Sequence, residues 1–197
     1  MICIGKKAPD FACKAVVNGV EKTISLHDFP DQYKLIFFYP KDFTFVCPTE
    51  LHALQDYMDE FKKRGVVLLA VSTDNLDTHC RWLETPKEQG GIQGITFPLL
   101  ADVNKDISRD YGVLDEQEGI ALRGFFLVDK DNIVQAATIY NRNVGRSMTE
   151  MLRMIDAFQY SEQHGNLCPA DWKSGEQGIK PTQQSVAHYL KNNHHKK

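Results

Sequence analysis

Two short apolar runs with a helix-spaced segment between them restrict this chain more than any other feature. KLIFFYP (34–40) and VVLLAVS (66–72) each read as a strand buried on both faces. Between them, Leu51, Leu54, Met58 and Phe61 share one helical face, and Asp56, Asp59, Glu60 and Lys63 fall mostly on the other. Pro48 suits the first helical position, and Gly65 can end the helix. A second helix is expected over 76–84, stopped before Pro86. EQGGIQG (88–94) reads as a loop and 106–111 as a short helix. GFFLVD (124–129) and NIVQAATIY (132–140) read as two strands joined by the polar turn DKDN, and so as a hairpin. SMTE (147–150) is a capping box, and Met148, Met151, Leu152, Ile155 and Phe158 follow as a helical stripe. This order predicts an α/β fold, a sheet with helices packed on its faces.

The chain has 197 residues, enough for one domain with an extension, and its 42% hydrophobic content supports a core. The texture changes after Tyr160, where HGNLCPADWKSGEQGIKPT is rich in Gly, Pro and polar residues. The expected division is therefore a domain over 1–160 and an arm over 161–197. Val186, Tyr189 and Leu190 predict one short amphipathic turn near the arm's end, and NNHHKK reads as a solvated tail in which His194 and His195 lack a fixed metal geometry. Basic and acidic residues nearly balance, 23 against 26, for a net charge of −3. This excludes the basic field expected for nucleic acid, and no apolar run is long enough to span a membrane. MICIGKKAPDF carries no charged-then-apolar leader, so a cytoplasmic location is expected.

Five cysteines, Cys3, Cys13, Cys47, Cys80 and Cys168, are spaced too irregularly for a secreted disulfide framework. No C-x-x-C or H-E-x-x-H is present. Cys3, Cys13 and Cys80 read as packing or incidental residues, and His79 with Cys80 makes a poor metal pair because neighbours point to different helical faces. Trp82 reads as core or interface. Cys47 has two readings, a small buried hydrophobe or a nucleophile at a strand-to-helix turn. A free cysteine, with pKa roughly 8.5, is mostly protonated at neutral pH. If Pro48 is the first helical residue, Cys47 takes the cap position, where unpaired N–H groups and the helix dipole favour a thiolate. A hydroxyl at Thr44 could bond both the sulfur and a polar substrate.

Pro40, Thr44 and Cys47 stand as P-x-x-x-T-x-x-C, and FYPKDFTFVCPTE (38–50) resembles the active-site segment of typical two-cysteine peroxiredoxins, a branch that includes the peroxide-reducing component of bacterial alkyl hydroperoxide reductase. APDF (8–11), ALRGFFLVD (121–129), GRS (145–147) and HGNLCPADW (164–172) extend the resemblance over nearly the whole chain. The resemblance implies a thioredoxin-like fold, with a central mixed β-sheet flanked by helices and an extended C-terminal arm. It implies a thiol-dependent peroxidase that reduces hydrogen peroxide and organic hydroperoxides without a bound cofactor or metal. Cys47 would be the peroxidatic nucleophile, forming a sulfenic acid. Thr44 would orient the peroxide, Pro40 would shield the site from water, and Arg123 would supply the cation. Glu50 and Arg146 would position Arg123. Read alone, Arg123 is a solvated strand-edge charge, Arg146 a polar residue before a helix cap, and Glu50 a favourable first-turn acid. Cys168 would be the resolving cysteine, 168 − 47 = 121 positions after Cys47, and would reach the site of a partner protomer once the first turn of the Cys47 helix unwinds. Thioredoxin or a flavin-linked disulfide reductase would restore the thiols. A homodimer follows from the pairing, and a decamer of five dimers is the family's ring form.

Four features depart from the resemblance. GGIQG (90–94) alters the GGLG loop of overoxidation-sensitive members, and Tyr189-Leu190 replaces their Tyr-Phe pair, which implies intermediate resistance to overoxidation. Asp77 stands where ring-forming relatives often carry an aromatic residue. Asp171 stands where relatives often have Gly, and Asp tolerates left-handed backbone better than most residues. A disulfide oxidoreductase is a competing enzyme reading, opposed by the missing C-x-x-C. A redox-regulated holdase chaperone or peroxide sensor is the non-enzymatic alternative.

Overall fold

In the computed structural model, which describes residues 4–192, the two buried runs become neighbouring parallel strands. They are β3 (Tyr33–Phe38) and β4 (Val66–Ser72). Both carry side chains buried on each face, which is why their sequences run apolar without alternation. The other strands are β1 (Ala12–Val17), β2 (Val20–Ser25), β5 (Leu99–Ala101), β6 (Leu114–Asp115), β7 (Ile120–Ala121), β8 (Arg123–Val128) and β9 (Val134–Tyr140). The main sheet runs β2-β1-β5-β4-β3-β8-β9, and β6 pairs with β7 separately. β3, β4 and β5 are parallel, while β1, β2, β8 and β9 join antiparallel, so the sheet is mixed. The hairpin expected over 124–140 is β8–β9, with Asn132 at φ 59° in its turn.

The helices are α1 (Cys47–Asp56), α2 (Met58–Lys63), α3 (Leu76–Glu84), α4 (Asp106–Asp110), α5 (Met148–His164) and α6 (Gln183–Asn192). On one face of the sheet, Ile36, Phe38, Leu69, Val71, Leu100, Phe126 and Val128 pack with Phe11, Tyr111 and Val113. The rings of Phe38, Tyr111 and Phe126 lie 5.1–5.7 Å apart in tilted and edge-on pairs. Gly124 is needed there, because a Cβ would fall 2.6 Å from Val113 Cγ1. Among the described residues no helix is long and apolar enough to cross a membrane.

The chain divides into two compact units, Met1–Met148 and Thr149–Lys197. In the second, Leu167 and Ile179 form an antiparallel bridge. The Trp172 ring is buried and lies 4.8 Å from Tyr160, whose hydroxyl accepts from the Gly178 amide at 3.0 Å. Asp171 adopts φ 59°, the left-handed backbone its side chain tolerates.

Several expectations shift. The helix over 48–63 is broken at Tyr57, so Gly65 (φ 64°) follows α2 rather than one continuous helix. The helix starts at Cys47, with Val46 as its cap, one residue earlier than Pro48 implies, because Pro is tolerated anywhere in a first turn that has no intrahelical N–H bond to make. Trp82 is core, fully buried. α5 continues past Tyr160 to His164, and the expected turn at Val186–Leu190 is the ten-residue helix α6. The β1–β2 hairpin went unread, although Asn18-Gly19 at φ 50° and 76° is a strong two-residue hairpin signal. Cys3, His194 and His195 lie outside the described residues.

Candidate active site

Cys47 is the first residue of α1 and is fully buried. Val46 caps the helix through its carbonyl, which accepts from the Thr49 and Glu50 amides at 3.1 and 3.2 Å, without a side-chain cap. One turn along, Glu50 points its carboxylate inward. Arg123, at the start of β8, is 3% exposed and reaches both groups. Its Nη1 lies 3.4 Å from Cys47 Sγ and donates to Glu50 Oε2 at 2.7 Å, while its Nε donates to the Arg142 carbonyl at 2.7 Å. Arg146 closes the cluster. Its Nε and backbone N–H donate to Glu50 Oε1 at 2.8 Å and its Nη2 to Oε2 at 3.0 Å. Its Nη1 donates to the carbonyls of Phe38 (2.9 Å) and Gly124 (2.7 Å), and the guanidinium lies 3.4 Å over the Phe37 ring.

The electrostatics are those of two buried cations sharing one buried anion. Burial pushes the Arg146 guanidinium down from its usual range, and the Glu50 carboxylate opposes this. The net positive charge faces the sulfur, where it would meet negative charge on sulfur or on a departing oxygen. Neither arginine is solvated, and Arg146 is more than a residue before a cap. Pro40 is buried at the end of β3. Thr44 is half-buried, and its Oγ1 donates to the Lys41 carbonyl at 2.8 Å. That bond leaves the oxygen lone pairs available to accept from a ligand. Six of the seven expected residues, Pro40, Thr44, Cys47, Glu50, Arg123 and Arg146, thus belong to the first compact unit, and Cys168 belongs to the second. Among the described residues no three His, Cys, Asp or Glu side chains converge to hold a metal ion.

The sequence profile of the AhpC/TSA family matches residues 4–137, and that of the C-terminal domain of 1-Cys peroxiredoxin matches 157–192. A thioredoxin peroxidase of Echinococcus granulosus is 49% identical over 95% of this chain and 97% of its own length. Peroxiredoxin-2 of Mus musculus is 48% identical over 95% of this chain and 94% of its own. The reduced 2-Cys peroxiredoxin of Plasmodium vivax superposes with a TM-score of 0.94 at 43% identity, covering 97% of this chain and all of that one.

The chain belongs to the AhpC/TSA family, the peroxiredoxins.

The second profile takes its description from one-cysteine members, yet in this peroxiredoxin its span includes Cys168. The Cys168 thiol donates to the Ala157 carbonyl at 3.3 Å. Burial pushes this thiol up, and Arg153 opposes the shift. Cys13 bonds the Ala101 carbonyl at 3.3 Å, and burial with the nearby Asp102 pushes its thiol up to about 11. Cys80 is also pushed up, chiefly by burial. Both fit packing rather than nucleophilic chemistry. In GGIQG, Gly90 accepts from Trp82 Nε1 and Gly91 meets His52 Nε2, each at 3.0 Å, so this loop is tied to both α3 and α1.

The sequence reading missed the buried polar group beneath the active-site loop. Asp42 Oδ2 lies 2.7 Å from His79 Nδ1, and Oδ1 accepts from the Tyr39 hydroxyl at 2.9 Å. Burial pushes the Asp42 carboxyl up, and His79 opposes the shift. The available signal was His79 three residues before Trp82, which puts both on the inward face of α3. Weighing His79 only as a metal partner of Cys80 concealed it.

Truncating Glu50 should leave two buried guanidiniums without their anion. Glu50→Ala is expected to lower stability by about 3–5 kcal/mol in urea unfolding. A loss under about 1 kcal/mol would contradict the shared-anion arrangement.

Proposed function

We propose that this thiol-dependent peroxidase works through Cys47 as its peroxidatic nucleophile and Cys168 as its resolving thiol. The observation that carries the reading is the single guanidinium of Arg123, which lies at once on Cys47 Sγ and on Glu50. The Cys47 thiolate attacks the terminal oxygen of a hydroperoxide. An S–O bond forms and the O–O bond breaks. The electron pair leaves with the distal oxygen, which takes a proton and departs as water or alcohol. Arg123 meets the negative charge as it moves from sulfur to oxygen, Thr44 accepts a hydrogen bond from the peroxide, and Pro40 excludes water. Glu50 and Arg146 hold Arg123 in place.

The Cys47 sulfenic acid then reacts with Cys168. The Cys168 sulfur attacks the Cys47 sulfur, an S–S bond forms, and hydroxide leaves and is protonated to water. We place this Cys168 on a second copy of the chain, with residues 161–197 as the arm that delivers it, so the minimal unit is a homodimer. Because Cys47 opens α1, its first turn must unwind for the sulfurs to meet. Val46 has no side-chain cap to give that turn, and its carbonyl accepts from the Thr49 and Glu50 amides and from the Thr49 hydroxyl, the bonds that unwinding would break. A thioredoxin-like dithiol is the reductant we favour, since the Echinococcus relative is named a thioredoxin peroxidase. A flavin-linked reductase is the other donor, and five dimers closing into a decamer is the assembly proposed. No observation favours the chaperone or sensor reading.

Cys47→Ser should abolish peroxide consumption. Cys168→Ser should consume one equivalent of peroxide per chain and then stop, and should form no dimer-sized band under oxidising, non-reducing electrophoresis. Continued thioredoxin-dependent turnover by Cys168→Ser would overturn the pairing.

The raised Cys168 thiol also sets a pH dependence. Burial holds its titration above the ordinary thiol range, so its thiolate fraction keeps growing as pH climbs through that range. Disulfide formation, followed by rapid mixing after peroxide oxidation, should accelerate continuously from about pH 6 to about pH 9. A plateau already reached near neutrality would contradict it.

A further inference from the structure

The loop between β3 and α1 takes a conformation that its own sequence does not favour. Phe43 has φ 53°, the left-handed region that a bulky side chain rarely enters. Its neighbours explain how it stays there. The Phe43 ring packs on Trp82 with centroids 5.8 Å apart, and Asp42 is held on three sides. Its carboxylate accepts from Tyr39 and pairs with His79, as described above, and its backbone N–H donates to Asp74 Oδ2 at 2.9 Å. Asp74 is itself fixed by the Ser72 hydroxyl at 2.9 Å, at the end of β4. His79 is steadied on its other ring nitrogen, 3.3 Å from the Leu100 carbonyl.

These contacts converge on one peptide group, that joining Lys41 to Asp42. Its N–H is bound by Asp74, and its C=O accepts the Thr44 hydroxyl at 2.8 Å. The direction in which the Thr44 oxygen offers its lone pairs therefore depends on the plane of that peptide.

We propose that Asp74, with the buried Asp42–His79 pair, is a positioning element for the peroxide step, clamping the 41–42 peptide so that Thr44 presents its oxygen to the bound peroxide. This rests on the reading of Thr44 as the peroxide's hydrogen-bond partner. None of the three residues touches the reacting atoms. They act through Thr44, so their effect on the peroxide step should disappear when the Thr44 hydroxyl is absent.

A double-mutant cycle tests the dependence. The second-order rate constant for hydrogen peroxide with reduced protein is measured for the wild type, Asp74→Ala, Thr44→Val and the double variant. Alkylation of Cys47 by iodoacetamide, which does not use Thr44, is measured alongside. Asp74→Ala should slow the peroxide reaction about tenfold while alkylation stays near wild type. Thr44→Val should slow it by about a hundredfold, and the double variant should be no slower than Thr44→Val alone. Asp74→Asn, whose side-chain oxygen can still accept from the Asp42 amide, should restore most of the rate. If Asp74→Ala does not fold, Asp74→Ser, too short to reach that amide, replaces it in the cycle with the same expectations. Multiplying losses in the double variant, or alkylation falling together with the peroxide rate, would overturn the proposal. So would an unaltered rate in Asp74→Ala beside a slowed Thr44→Val, and that outcome would leave the Thr44 reading intact. An unaltered rate in Thr44→Val would instead remove the reading on which the proposal rests.

Discussion

The Glu50 carboxylate binds two buried guanidiniums, and the site depends on that sharing. Taking a lone arginine out of water is costly, and a carboxylate in good geometry offsets much of the cost. Arg146 makes four side-chain hydrogen bonds, two to Glu50 and two to the carbonyls of Phe38 and Gly124. Those carbonyls belong to β3 and β8, so the ion cluster is anchored to two neighbouring interior strands of the sheet. Arg123 is then left with its Nε on the Arg142 carbonyl and one Nη1 shared between Glu50 and the sulfur. Its direction is fixed by these contacts, which is what the role proposed for it, electrostatic catalysis, requires of a charge.

Much of this could be read from the chain. The strands 34–40 and 66–72 were legible because burial on both faces removes alternation, and 76–84 because Pro86 stops the helix. Their neighbours were harder. β5 is only three residues long, and β6 and β7 two each, too short for any period to register. The break at Tyr57 escaped because the apolar face continues across it, from Leu54 to Met58 and Phe61.

The site divides in a similar way. The residues themselves pointed to Cys47, at a helix start, and to the nearby Thr44 hydroxyl, while the roles of Pro40 and Glu50 came with the resemblance of the same short segment. Arg123 and Arg146 came from resemblance, because each alone resembles a surface charge. Their partnership appears only where β8 and the segment leading into α5 bring them to the same carboxylate. Asp42 and His79 were missed for a related reason: 37 residues separate them, and their partnership belongs to tertiary structure. The strained Phe43 is likewise invisible in sequence, since nothing about Phe predicts positive φ.

The proposed mechanism sets rigid parts against a part that must move. The sheet and the ion cluster hold Arg123 still, while Cys47 sits on the first turn of a helix with no side-chain cap. On the proposed mechanism, one sulfur is presented to peroxide in the folded turn and to a second thiol in the opened one. The central claim is that the Arg123 fork, and not positive charge alone, makes Cys47 reactive toward peroxide. Arg123→Lys keeps the charge but cannot serve Glu50, the Arg142 carbonyl and the sulfur together. Rapid-mixing measurement of its reaction with hydrogen peroxide should give a rate constant lower by about a hundredfold or more, and a rate within about twofold of the wild type would contradict the account.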